Sequence, residues 1–180
     1  VHVAPREVIA TVERVLFRRG FQPGAARPAA ELVLASLDEG VDALGLLWAE
    51  LEELELGPPA GVSARDDGTI EVDAAGASAL HVAPSVLDLL ADADTIVIRG
   101  ATSGSLFGLL TGGGRERGMA VDVSTGPEET LVRLTGRCEP STPMLRASLA
   151  VDQSVWSHLN RYANHVLAPA STESRADAGY

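Results

Sequence analysis

The sequence predicts a mixed α/β protein in which an N-terminal three-helix cap packs on a mixed β-sheet and a C-terminal helix closes the core. Three observations predict it. Apolar residues recur at helical spacing across residues 5–56. Short β-branched runs bounded by turn residues occupy the stretch from 60 to 151, and an amphipathic segment follows Asp152. At 180 residues the chain has the length of one domain and can bury roughly two-thirds of its unfolded surface. It divides into a helical cap at 1–57, a sheet region at 58–151 and a helix with a tail at 152–180.

The first helix begins at Pro5, whose missing N–H costs nothing in the first turn, carries Val8, Val12 and Leu16 on one face beside Ile9, and stops at Gly20. The second runs from about Gly24 to Glu39 with Ala26, Ala30, Val33 and Leu37 inward, and Gly40 ends it. Asp42 caps the third, where Leu44, Leu47, Leu51 and Leu54 recur before Gly57-Pro58-Pro59. Asp66-Asp67-Gly68 then signals a turn, and a strand pair is expected at 69–73 and 78–82, with His81 between the apolar Leu80 and Val82. Pro84 is read as opening a short helix to Leu90, and TIVIRG at 95–100 as a buried strand. Strands at 119–124 and 130–135 form a hairpin across turn residues, and a last strand is expected at 146–151.

Composition narrows the chemistry. There are 25 acidic against 14 basic residues, so the surface lacks the cationic field that nucleic acid or an anionic membrane requires. All 14 basic residues are Arg, which removes Schiff-base lysines, the P-loop lysine and any lysine general base. Cys138 is the only cysteine; it excludes an intrachain disulfide and fits the cytoplasm. No apolar run reaches the roughly eighteen residues that span a bilayer, and VHVAPREV lacks the pattern of a secretory leader, so a soluble, unsecreted chain is expected.

Gly100, Gly104, Gly108 and Gly112 recur every four residues, followed by Gly113, Gly114 and Gly118. Without a lysine they are no P-loop, and no G-x-G-x-x-G opens a helix after the strand at 95–98. Close packing on a helical face is the stronger reading, with Gly112-Gly113-Gly114 as a surface turn. Ser103 and Ser105 lie outside any nucleophile elbow, and Cys138 has no partner base at readable spacing.

The richest chemistry lies in the last thirty residues. With Asp152 as cap, His158, Arg161 and His165 fall along one helix edge, flanking the apolar arc of Val155, Leu159, Tyr162 and Val166. His158 and His165 are the catalytic candidates, as acid or base, and Arg161, Tyr162, Ser171, Ser174 and Arg175 are the ligand-binding candidates, the arginines holding a carboxylate. The two histidines stand nearly two turns apart, about 10 Å, too far to share one ion, so no metal is expected.

The pattern EVIATVERVLFRRGFQPGAARPAAELVLASLDEGVDALGLLWAELEEL resembles the opening of the type-2 malate/L-lactate dehydrogenases over residues 7–57. Over nearly the whole length the chain also resembles a family of short bacterial proteins of unknown function, sharing a C-terminal signature read here as Ala168-Pro169-Ala170-Ser171-Thr172-Glu173-Ser174-Arg175. The dehydrogenase resemblance implies an NAD(P)-linked activity outside the Rossmann lineage and a homodimer. However, Ala43-Leu44-Gly45 stands where those enzymes carry serine–histidine–glycine, and leucine shuttles no proton. The resulting expectation is a non-redox, cofactor-free binding or accessory protein for an organic acid or related metabolite, homodimeric through the third helix and Trp48. A cofactor-independent lyase or isomerase with a C-terminal His base is the first alternative. A residual NAD(P)-dependent oxidoreductase is the second.

Overall fold

A computed structural model describes residues 1–54, 57 and 61–164. The fold is mixed α/β. A five-stranded sheet in the order β2-β3-β4-β6-β5 is built from β2 (Gly61–Ala64), β3 (Ile70–Asp73), β4 (Thr95–Arg99), β5 (Met119–Thr125) and β6 (Glu129–Arg137). Only β3 and β4 run parallel, joined by the crossover helix α4 (Ala79–Leu89); the other neighbours are antiparallel. A small second sheet pairs β1 (His2–Val3) with β7 (Leu149–Ala150) and so ties the two ends of the described chain together.

One face of the large sheet is apolar. Val72, Ile96, Ile98, Val132 and Val121 point into a core shared with α4 and α5 (Leu110–Glu116). The cap consists of α1 (Pro5–Arg18), α2 (Pro23–Asp38) and α3 (Ala43–Ala49), the last extended by a 3-10 turn at Leu51–Glu53. Helix α2 is the hub, touching α1, α3, α4 and α5, which explains why it is alanine-rich: Ala26, Ala29, Ala30 and Ala35 are fully buried where helices crowd it on several sides. The C-terminal helix α6 (Gln153–Asn164) closes the core against α1 and α3.

The other sheet face carries a ladder of charge. Glu71 takes hydrogen bonds from both Arg65 and Arg99, and Arg99 Nη2 also reaches Glu129 Oε2 at 2.9 Å, so opposite charges alternate from Arg65, just past β2, across β3, β4 and β6. The Arg65 guanidinium, with Arg99 adding to it and against the opposing effect of desolvation, sets the Glu71 carboxyl below its usual range.

Four expectations are corrected. Residues 78–82 are not a strand: Ala79, Leu80, Val82, Ala83, Val86 and Leu87 are all buried, which is helical periodicity compressed by burial on more than one side. His81 therefore sits on α4, Pro84 lies inside that helix instead of opening it, and residues 70–73 pair with 61–64. The strand expected at 146–151 shrinks to Leu149–Ala150 and pairs with the chain start instead of the main sheet. Gly112-Gly113-Gly114 is no surface turn but buried helix in α5. A Cβ on Gly112 would stand 2.6 Å from Ser36 Cα, one on Gly113 2.3 Å from Leu32 Cδ1, and one on Gly114 2.5 Å from Val121 Cγ2. Close packing is thus realised at these three, whereas Gly108 has open space beside it.

Candidate functional site

Asp152 caps α6 as its sequence position predicts, its Oδ1 accepting from Ser154 N at 2.8 Å and Val155 N at 3.0 Å. The Ser154 hydroxyl, followed by the Val155 amide, holds this carboxyl below its usual range. The helix buries Leu159 and Ala163 and turns His158 and Arg161 to the surface. The His158 ring lies flat on Trp48, with centroids 5.2 Å apart and planes at 19°. Tyr162 meets the same Trp48 edge-on at 6.5 Å, and the Arg18 guanidinium covers the other aromatic partner, 3.8 Å from the Tyr162 centroid. Arg18 Nη1 also donates to the Tyr162 carbonyl at 2.8 Å. Trp48, His158, Tyr162 and Arg18 thus form a ring stack that docks α6 on α1 and α3. His165, Ser171, Ser174 and Arg175 lie outside the described residues.

A concave polar site lies elsewhere, where the C-terminal ends of α2 and α5 meet the loop after β6. A cleft of about 380 Å³ is lined by Asp38, Glu39, Arg115, Glu139, Ser141 and Arg146, with Pro140, Thr142 and Leu145. Its two guanidinium groups are each anchored by one of two consecutive carboxylates. Arg146 Nε donates to Asp38 Oδ1 at 2.6 Å, and Arg115 Nη1 donates to Glu39 Oε2 at 2.7 Å. Both arginines are more than half exposed, whereas the Asp38 side chain is 4 % exposed, so the acids are the fixed posts and the guanidinium ends face solvent. Each arginine spends one donor on its post, and a guanidinium has five. The loop that completes the cleft is pinned by Cys138 N donating to Gly118 O at 3.0 Å and Ser141 N donating to Arg115 O at 3.1 Å. The Ser141 hydroxyl oxygen is buried and has no hydrogen-bond partner among the described residues.

Two other places show chemical tension. At the carboxyl ends of the parallel strands β3 and β4, the following loops zip together through Gly76 N to Gly100 O at 2.7 Å and Ala79 N to Thr102 O at 2.8 Å. Each loop contains a non-glycine residue in the left-handed region, Ala75 at φ 49° and Ser103 at φ 54°. Thr102 O accepts from the first amide of α4. The second place is a cleft of about 240 Å³ between α2, α4 and α5, where Glu116 sits among Pro28, Leu32, Pro84 and Leu87. Burial, with Glu31 adding repulsion, pushes the Glu116 carboxyl above its usual range. His81 packs edge-on to Phe21 at 5.4 Å, and burial pushes its imidazole down. Among the described residues, no group of three or more His, Cys, Asp and Glu side chains is placed to hold a metal ion. No helix there is long and apolar enough to cross a membrane.

Compared with protein-family models and with curated proteins, the chain matches none. Geometry therefore carries the functional reading. Arg115, Arg146, Ser141 and Glu139 were not singled out as site residues by their sequence positions. The one available signal is the pair of carboxylates Asp38-Glu39 at a helix end beside Gly40, where a solvated face and an arginine post look alike until α5 and the loop after β6 are placed.

Proposed function

We propose that this chain is a non-redox binding or accessory protein for a small organic acid or related metabolite, and that the acid sits in the cleft between Arg115 and Arg146. The observation that supports it best is the pairing of two anchored guanidinium groups, with donors to spare, in one cleft of about 380 Å³. That volume falls in the range of roughly 300–1,000 Å³ typical of small-ligand sites. Guanidinium donors match a carboxylate in geometry and charge, and anchoring by Asp38 and Glu39 lowers the ordering cost on binding. The unpartnered Ser141 hydroxyl supplies a further polar contact in the same lining.

Calorimetric titration with succinate tests the reading. Binding to the native protein should weaken by at least about tenfold in Arg115→Ala and again in Arg146→Ala, since a charge-assisted hydrogen bond contributes on that scale. Absence of heat and of thermal shift with succinate, malate and lactate alike would remove the proposal. Oligomeric state and compartment belong to the same reading. A homodimer through the third helix is supported by Trp48, 36 % exposed, and a cytoplasmic place by the single cysteine. Sedimentation at a single monomer mass over a wide concentration range would remove the dimer.

A further inference from the structure

The charge balance of the cleft points to more than an acid. Its lining holds three carboxylates, Asp38, Glu39 and Glu139, against two guanidinium groups, Arg115 and Arg146. Asp38 is matched by Arg146 and Glu39 by Arg115, so Glu139 is left over, and its side chain has no hydrogen bond or ion pair among the described residues. A ligand that is only an anion would enter a lining of net negative charge, on a chain of formal net charge −11. A ligand that also carries a cation finds a partner for it in Glu139.

The position of Glu139 is fixed by its neighbours. The backbone on its N-terminal side is tied at Cys138 N to Gly118 O, and on its C-terminal side at Ser141 N to Arg115 O, with Pro140 between. Pro140 packs so closely on Gly118 that a Cβ there would stand 3.3 Å from the proline ring. Glu139 is thus held at the cleft by a stiff segment and does not hang from a free loop. Leu145 lines the same cleft and is 82 % exposed, an apolar surface with no cover. The lining therefore offers guanidinium donors, one spare carboxylate and one bare apolar side chain.

We infer that the ligand of this cleft is an amino acid with an apolar side chain, its carboxylate on Arg115 and Arg146, its ammonium on Glu139 and its side chain over Leu145. This rests on the organic-acid reading of the same cleft. The ammonium pairs with the one carboxylate that the arginines leave unmatched, and a three-point contact sets the orientation.

L-leucine and 4-methylpentanoate, which share a carbon skeleton and differ by the ammonium, separate the two ideas by calorimetry on the whole chain. The inference predicts that leucine binds at least about tenfold tighter than its analogue. Glu139→Gln, a surface change whose fold is checked by circular dichroism, should bring the two ligands to within about threefold by weakening leucine. An analogue that binds as tightly as leucine, or a preference that survives Glu139→Gln, overturns the inference while the organic-acid reading stands. Binding of neither ligand, together with failure of succinate, overturns both.

Discussion

The ring-bearing edge of α6 and the arginine cleft beside α2 make an instructive pair. The first gathers His158, Arg161 and Tyr162 within one turn and a half of helix, and the structure spends two of these three on packing, His158 flat on Trp48 and Tyr162 between Trp48 and Arg18. The second gathers residues more than a hundred positions apart, Asp38 and Arg146, into one lining. Local density of reactive side chains thus reports a helix edge. A concave site instead needs segments that meet only when the fold closes.

If that contrast is right, α6 variants should lose stability without touching ligand, and cleft variants the reverse. The largest effect is expected from Leu159→Ala, since Leu159 is fully buried where α6 docks on the cap. Denaturant unfolding should show a loss of about 2–5 kcal/mol, with unchanged affinity for the cleft ligand at temperatures where the variant is folded. Gly112→Ala comes next. Helix propensity alone would make it favourable by roughly 1 kcal/mol, but its Cβ meets Ser36 backbone at 2.6–2.7 Å. A net loss of about 1–3 kcal/mol is expected, and a gain would break the close-packing account of α5.

Below these comes the cleft itself. Arg115→Ala should cost about tenfold in succinate affinity, roughly 1.4 kcal/mol, while the unfolding midpoint moves little because exposed pairs contribute about 1 kcal/mol or less. Arg115 is more than half exposed. A variant that unfolds but binds normally would reverse the roles of the two regions.

A pH profile sharpens the comparison within the core. Glu116 has its folded pKa raised by burial, so the native state holds its proton more tightly than the unfolded chain does. Its contribution should grow as pH falls from above the folded value toward the ordinary 4.5 and be absent at neutral pH. His81 has its folded pKa lowered by burial, so the unfolded chain takes the proton first, and stability should be lost as pH falls from 6.5 toward the folded value. Unfolding midpoints from about pH 4 to about pH 8 should show Glu116→Gln removing the gain and His81→Leu removing the loss. The smallest effect is expected from His158→Ala: about 0.5 kcal/mol or a little more for the exposed stack on Trp48, with a change in tryptophan emission and no change in ligand binding.

Much of the fold was legible because its signals are local. Pro5, Gly20, Gly40 and Asp42 bracket the cap helices close to where they lie, and TIVIRG and the 119–135 hairpin form as expected. Asp152 caps α6, and the sequence alone places Leu159 on its buried side. The segment 78–82 misled because a helix buried on more than one side shows apolar residues too densely for its period to be read. The glycines of α5 misled for a related reason: a glycine that avoids a Cβ clash across a helix interface looks in sequence like one that turns a loop.

By itself, then, the sequence determined the class of fold, the helical cap, the closing helix and the absence of lysine chemistry, because periodicity, caps and composition act over a few residues. Tertiary structure decided that His158 stacks on Trp48 and that Arg115 and Arg146 meet over Asp38 and Glu39. An ion pair between residues about a hundred positions apart carries no local pattern. Its partners are chosen only when α2, α5 and the loop after β6 are packed together.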